Sequence, residues 1–209
     1  MKNSWDLDLM DQHLDHLAEH SWVIIDDFFF PENLQKVRET LRDKLEQSKF
    51  EAAKIGPSES ETRTTEIRSD YTYWLDKTRD QELSVFFDTV EDLMEIVSRG
   101  LFLSLQGYEF HFAHYPKGAY YKPHLDQFDQ RGNRMLSLVI YLNQKWEKGD
   151  GGELKIHNEK PFQIDPIDNR AVLFFSDRVL HEVLPAIKER YSLTGWFLKR
   201  PSDVGVLGI

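Results

Sequence analysis

His124 and Asp126 close the run YPKGAYYKPHLD, residues 115–126. Both are metal-ligand types, and on a strand residues two apart point to the same face. A His and an Asp so placed reach one ion together. His181, which opens a later strand-like run, is the candidate third ligand. Two His and one carboxylate make the facial triad of a non-haem Fe(II) oxygenase, which leaves coordination positions open for substrate and oxygen.

Spacing alone selects poorly, because 36 of 209 residues are Asp or Glu and eight are His. The tripeptide HLD recurs at His13 to Asp15, and His157 precedes Glu159 at the same interval. Periodicity separates the three. Around His13, Leu7, Met10, Leu14 and Leu17 recur at helical spacing. Residues two apart on a helix diverge by roughly 200° and share no ion. His157 and Glu159 fall at the polar end of a strand before a turn, where solvation is expected. Only the pair at 124 and 126 combines a strand context with a third ligand downstream.

Arg190 follows His181 by nine residues. A strand, a turn at Pro185 and the next strand return it to the same cavity. Its planar guanidinium suits two-point binding of a carboxylate. An iron site with such an Arg suggests a dicarboxylate cosubstrate, with one end at the metal and the other at the Arg.

The elements that must position these groups follow from patterning. Residues 7–19 read as an amphipathic helix and Trp22 to Ile25 as a short strand. A second helix starts near Pro31, with Leu34, Val37, Leu41 and Leu45 as its apolar stripe. Residues 51–69 hold few large apolar side chains, and Gly56 and Pro57 break them, so a long mobile loop is expected. A third helix is predicted over 79–106 from Leu83, Phe87, Val90, Met94, Val97 and Leu101. After Gly107 come strands at 108–114, 120–126, 135–142, 153–156, 171–175, 181–184 and 191–198, separated by turn signals. Helices first and short strands after predict an α+β, mainly β fold, a sandwich or barrel buttressed by N-terminal helices. One domain over 1–209 is expected, with 1–106 as helical support and substrate loop and 107–200 as the β core. Val204, Val206, Leu207 and Ile209 of the tail are expected to pack locally.

Composition narrows the classes. A chain with 40% hydrophobic and 13% aromatic residues is globular rather than disordered. The absence of cysteine excludes a thiolate zinc site. The N-terminal stretch carries Asp6, Asp8, Asp11 and Asp15 without a continuous apolar run, so a signal peptide is not expected. With no apolar run approaching a membrane span, a cytoplasmic protein without membrane contact is the expectation. A net charge of −10 weighs against general binding of nucleic acid.

The run from His111 to Lys199 resembles the 2-oxoglutarate- and Fe(II)-dependent dioxygenases of double-stranded β-helix fold. Within them it is most similar to the prolyl 4-hydroxylases of the oxygen-sensing type and their bacterial homologues. The stretches that carry the likeness are YPKGAYYKPHLD, VIYLNQKW, GGELKI, AVLFFSDRVLHEV and ERYSLTGWF, with EIRSDYTYWLD upstream. The resemblance implies that His124, Asp126 and His181 hold Fe(II). It implies that Arg190 binds the distal carboxylate of 2-oxoglutarate, assisted by the hydroxyls of Tyr141 and Thr194. Tyr115 would hydrogen-bond near the chelating end, and Trp196 would wall the pocket. Arg134, Arg68, Asp70 and Trp74 match positions at the substrate entrance, although Arg68 and Asp70 equally suit a plain surface salt bridge.

The implied chemistry consumes 2-oxoglutarate and O2, with ascorbate as a supporting reductant, and hydroxylates proline in a protein or peptide. The 51–69 loop would then act as a lid over that peptide. Bacterial relatives are associated with elongation factor Tu and animal ones with a transcription factor. Nucleic-acid demethylases of the same superfamily carry a second Arg six residues after the first, where this chain has Trp196. Two alternatives stay open: a hydroxylase of a free amino acid or other small molecule, and a non-catalytic metal-binding β-helix module.

Overall fold

A computed structural model describes residues 6–53, 66–127 and 132–199. Most of the loop expected over 51–69, and the tail from Pro201, lie outside the described residues.

Helix α1 (Leu7–His20) starts where the Asp6 carboxylate accepts the Leu9 N–H at 3.2 Å. It stops where Ser21 turns left-handed at φ 69°. Its stripe of Met10, Leu14 and Leu17 is buried, and β1 (Trp22–Ile25) follows directly. Helix α2 (Pro31–Glu46) opens on its proline and buries Leu34, Val37 and Leu41. Both helices match the sequence reading. The third does not run as far as expected. A 3₁₀ turn over Gln81–Leu83 leads into α3 (Ser84–Gly100). Beyond it Phe102 is left-handed at φ 54°, and the Leu103 N–H returns to the Ser98 carbonyl at 3.0 Å. Leu101, Leu103 and Leu105 still pack on the core, so the apolar pattern outlasts the helix.

The strands are β2 (Glu51–Ala52), β3 (Tyr71–Trp74), β4 (Gly107–Tyr115), β5 (Tyr121–His124), β6 (Arg134–Tyr141) and β7 (Leu154–Ile156). They continue with β8 (Phe162–Ile164), β9 (Ala171–Phe175), β10 (His181–Val183) and β11 (Arg190–Leu198). Short β2, β3 and β8 are not anticipated from the sequence. All pairings are antiparallel. One sheet has the order β1-β9-β6-β11-β4-β3-β2, the other β5-β10-β7-β8. This is the two-sheet double-stranded β-helix.

Strand alternation divides the large sheet between two tasks. On β6, Leu136, Leu138 and Ile140 join the helices in the larger core. Val139 and Tyr141 turn the other way, into a second core with Leu154, Ile156, Ile164 and Phe174. On β11, Leu193 and Phe197 face the helices. Arg190, Thr194 and Trp196 have the opposite parity and line a cavity. The helices therefore hold the outer face of the large sheet and leave its inner face for chemistry. Among the described residues no helix is long and apolar enough to cross a membrane.

Candidate active site

One ligand atom from each of His124, Asp126 and His181 lies within 4.8 Å of the others. The Asp126 carboxylate reaches both imidazoles, with Oδ1 at 3.5 Å from His124 Nε2 and Oδ2 at 3.7 Å from His181 Nε2. The two histidines come from neighbouring strands. Asp126 does not share the strand as the spacing suggests, since β5 ends at His124. The chain bends beyond it, and two bonds fix the result. Gln127 N–H donates to the Ser176 carbonyl at 3.0 Å. Ser137 Oγ donates to Asp126 Oδ2 at 2.6 Å.

The imidazoles are oriented by backbone. His124 Nδ1 meets the Lys122 carbonyl at 2.8 Å and His181 Nδ1 the Val179 carbonyl at 2.9 Å. A carbonyl only accepts, so each Nδ1 carries the proton and each Nε2 lone pair is left for a metal. Burial, then the neighbouring His124, pushes His181 down to about 4. Burial works against charge on Asp126, but His181, His124 and the Ser137 hydroxyl hold its carboxyl well below the usual carboxylate range. Neutral imidazoles and an ionised carboxylate are the states that metal binding requires. The donor set fits a divalent iron.

A cavity of about 530 Å³ opens over this cluster. Arg190 lines it at the start of β11, opposite Tyr115, and is only 3% exposed. Its Nε donates to the Gly152 carbonyl at 2.9 Å and its Nη1 to Ser192 Oγ at 3.2 Å. Tyr115 and Tyr141 lie 4.7 and 5.1 Å from its guanidinium carbon. Gly152 has φ +77°, and a Cβ there would stand 2.8 Å from Arg190 Cδ, so the glycine makes room for this side chain. No carboxylate pairs with Arg190 among the described residues. A buried guanidinium without an anion is costly, and an anionic ligand relieves that cost.

The other expected residues fall around the same space. Thr194 lines the cavity, and its Oγ1 is 3.0 Å from Ser192 Oγ. Tyr141 does not line it. Its fully buried hydroxyl lies beside Arg190 and makes no hydrogen bond of full geometry among the described residues. Trp196 forms a wall, with the Arg134 guanidinium 3.3 Å from its ring centre. Arg134 pairs with Glu109 at 2.6 Å. Arg68 holds Asp70 through two bonds of 2.8 and 2.6 Å. Asp70 is 2% exposed, so this pair is not the plain surface salt bridge considered from sequence. Trp74 stands half-exposed at the cavity rim. His157 also differs from expectation. It is half-buried, and its Nε2 meets Glu182 Oε1 at 3.0 Å instead of water.

Several groups in or behind the cavity wall belong to no motif in the sequence. Ser137 and Ser192 share the inward parity of Tyr141 and Thr194, which strand alternation alone would have flagged. Tyr121 stacks on His124 at 3.6 Å between ring centres, and the Arg68 guanidinium lies over the Tyr121 ring at 4.4 Å. His111 is buried in the cavity wall.

The profile of the 2OG-Fe(II) oxygenase superfamily matches residues 110–198. A crystal structure of a Pseudomonas putida prolyl-4-hydroxylase superposes with a TM-score of 0.82 at 34% identity, over 92% of this chain and all of that one. A Trichoplax adhaerens prolyl hydroxylase, in complex with a hypoxia inducible factor peptide fragment, superposes at 0.84 with 24% identity. It covers 95% of this chain and 94% of that one. The Caenorhabditis elegans hypoxia-inducible factor prolyl hydroxylase is 26% identical over 88% of this chain. The chain spans 27% of that relative's length.

Proposed function

Because the chain belongs to the prolyl hydroxylase family of the 2OG-Fe(II) oxygenases, we propose that it hydroxylates proline in a protein substrate. The observation that carries this reading is Arg190, a buried cation without an acidic partner among the described residues, in one cavity with the His124, Asp126 and His181 cluster.

His124, Asp126 and His181 would hold Fe(II) through two Nε2 atoms and a carboxylate oxygen. When bound, the iron supplies the redox chemistry that converts 2-oxoglutarate and O2 to succinate and CO2 while a substrate C–H becomes C–OH. The protein's own groups bind, orient and shield. Arg190 receives the distal carboxylate of 2-oxoglutarate, with Thr194 and Ser192 bordering it and Tyr115 and Tyr141 closing the pocket against water. Buried Ser137 fixes Asp126. Trp74, Trp196 and the matched pairs Arg68–Asp70 and Arg134–Glu109 form the side where the primary substrate enters. Ascorbate would keep the iron ferrous.

Elongation factor Tu is the first protein substrate to test, on the family resemblance, and the cytoplasm is the proposed site of action. The test is incubation of a host lysate with the protein, Fe(II), ascorbate and 2-oxoglutarate, followed by mass spectrometry. A protein gaining one oxygen on proline, only when 2-oxoglutarate is present, is the expected result.

A further inference from the structure

His111, in the middle of β4, lines the cavity and is not among the residues assigned above to iron or 2-oxoglutarate. Its register partners are Trp74 on β3 and Thr194 on β11. The imidazole lies 4.8 Å from the Trp74 ring and stacks on Trp196 at 5.5 Å. The residue is 3% exposed, and its Nδ1 is buried with no hydrogen-bond partner among the described residues. No hydrogen bond to Nε2 is found there either. Burying such a group without partners costs stability that a packing residue would not lose. The same strand uses Phe110 and Phe112 where it only packs.

Burial, then the nearby Arg68 and Arg134, pushes His111 down to about 3, so the ring is neutral at physiological pH. A neutral imidazole has one donor and one acceptor nitrogen. With Nδ1 turned into the protein, Nε2 is left to meet a molecule in the cavity. The two cations that act on His111, Arg68 and Arg134, are already matched, by Asp70 and by Glu109. This wall therefore offers hydrogen bonding without uncompensated positive charge, in contrast to the Arg190 end. A free carboxylate gains little here. A neutral amide carbonyl gains a partner.

We propose that His111 donates a ring N–H to a backbone carbonyl of the substrate beside Trp74 and Trp196, and so selects prolyl residues within a peptide over free amino acids. This rests on the hydroxylase reading above. In it, His111 is a specificity-determining residue.

The test uses a panel of capped proline-containing peptides and free L-proline with the intact protein, Fe(II) and 2-oxoglutarate. His111→Phe keeps the ring and removes both nitrogens, whereas His111→Gln restores a donor. For whichever peptide wild type hydroxylates, the Phe variant is expected to raise the peptide KM about 3- to 10-fold, the worth of one hydrogen bond. KM for 2-oxoglutarate should move less than about twofold, and the Gln variant should recover part of the loss. Peptide affinity without turnover, read from Trp fluorescence in metal-free protein, should fall in parallel. Unchanged peptide KM and affinity in a Phe variant that melts like wild type overturns the assignment. So does a rise in both KM values, which places His111 on the cosubstrate side. Hydroxylation of free proline but of no peptide by wild type overturns the peptide reading itself, whatever His111 does.

Discussion

His181 faces His124 directly across the antiparallel pair of β10 and β5, and their rings stand 4.3 Å apart. Residues 57 positions apart in sequence thus become strand neighbours, and backbone carbonyls point each Nε2 at the same place. His181→Ala should abolish Fe(II) binding and 2-oxoglutarate turnover. His13→Ala, in the helical copy of the HLD tripeptide, should change neither. Iron titration of the two variants checks this, and wild-type binding in the His181→Ala protein would refute the cluster.

Ser137 holds Asp126 from behind at 2.6 Å without lining the cavity. Partners that orient a ligating side chain typically contribute about 10- to 100-fold in metal affinity. Ser137→Ala should weaken Fe(II) binding by that order while the thermal melt changes little. Ser137→Thr, which keeps the hydroxyl, should retain most of the affinity.

Arg190 has no acidic partner among the described residues, so its expected counter-ion is the cosubstrate. Arg190→Ala should raise KM for 2-oxoglutarate about ten- to a hundredfold, the worth of a charge-assisted hydrogen bond. Fe(II) affinity should survive. A wild-type cosubstrate titration would remove Arg190 from the site.

Asp80 anchors the junction between α2, β3 and the turn before α3. Fully buried, it accepts from Arg79 and Lys44 at 2.9 Å, from the Asp76 N–H at 2.9 Å and from the Tyr73 hydroxyl at 2.7 Å. Burial opposes its charge, but these partners prevail and lower its pKa to about 2. An unfolded aspartate titrates near about 3.9. The folded value lies below the unfolded one, so the stabilisation is complete well above about pH 4 and lost as pH falls through about 2. Asp80→Asn should cost about 2 kcal/mol at pH 7, and roughly half of that difference should remain at pH 3. Urea unfolding at the two pH values measures it. A difference that does not shrink with pH would mean that charge is not what Asp80 contributes.

The fold and the site were unevenly legible in the sequence. Long periodic segments read cleanly, because Met10, Leu14 and Leu17 or Leu34, Val37 and Leu41 repeat their geometry several times. The strands bearing His124 and His181 span only four and three residues, and are legible through their ligand-type side chains and flanking turn signals rather than through periodicity. Asp126 was found through its spacing, yet the strand it was assigned to ends two residues earlier. A bend and the Ser137 bond, neither visible as a pattern, bring it to the site. The apolar pattern overstates the length of helix α3, because apolar contacts continue through Leu105 after helical hydrogen bonding stops. His111 matters through Trp74 and Trp196 on neighbouring strands, and no local spacing encodes those contacts.

Iron, 2-oxoglutarate and a prolyl substrate are proposed to meet in this one cavity. The most direct test follows succinate and hydroxylated product together, with purified protein, Fe(II), ascorbate, 2-oxoglutarate and a proline-containing protein such as elongation factor Tu. One succinate for each oxygen gained on proline, and loss of both in His181→Ala, is the expected result. Full Fe(II) binding with no succinate formed above the His181→Ala background would contradict it.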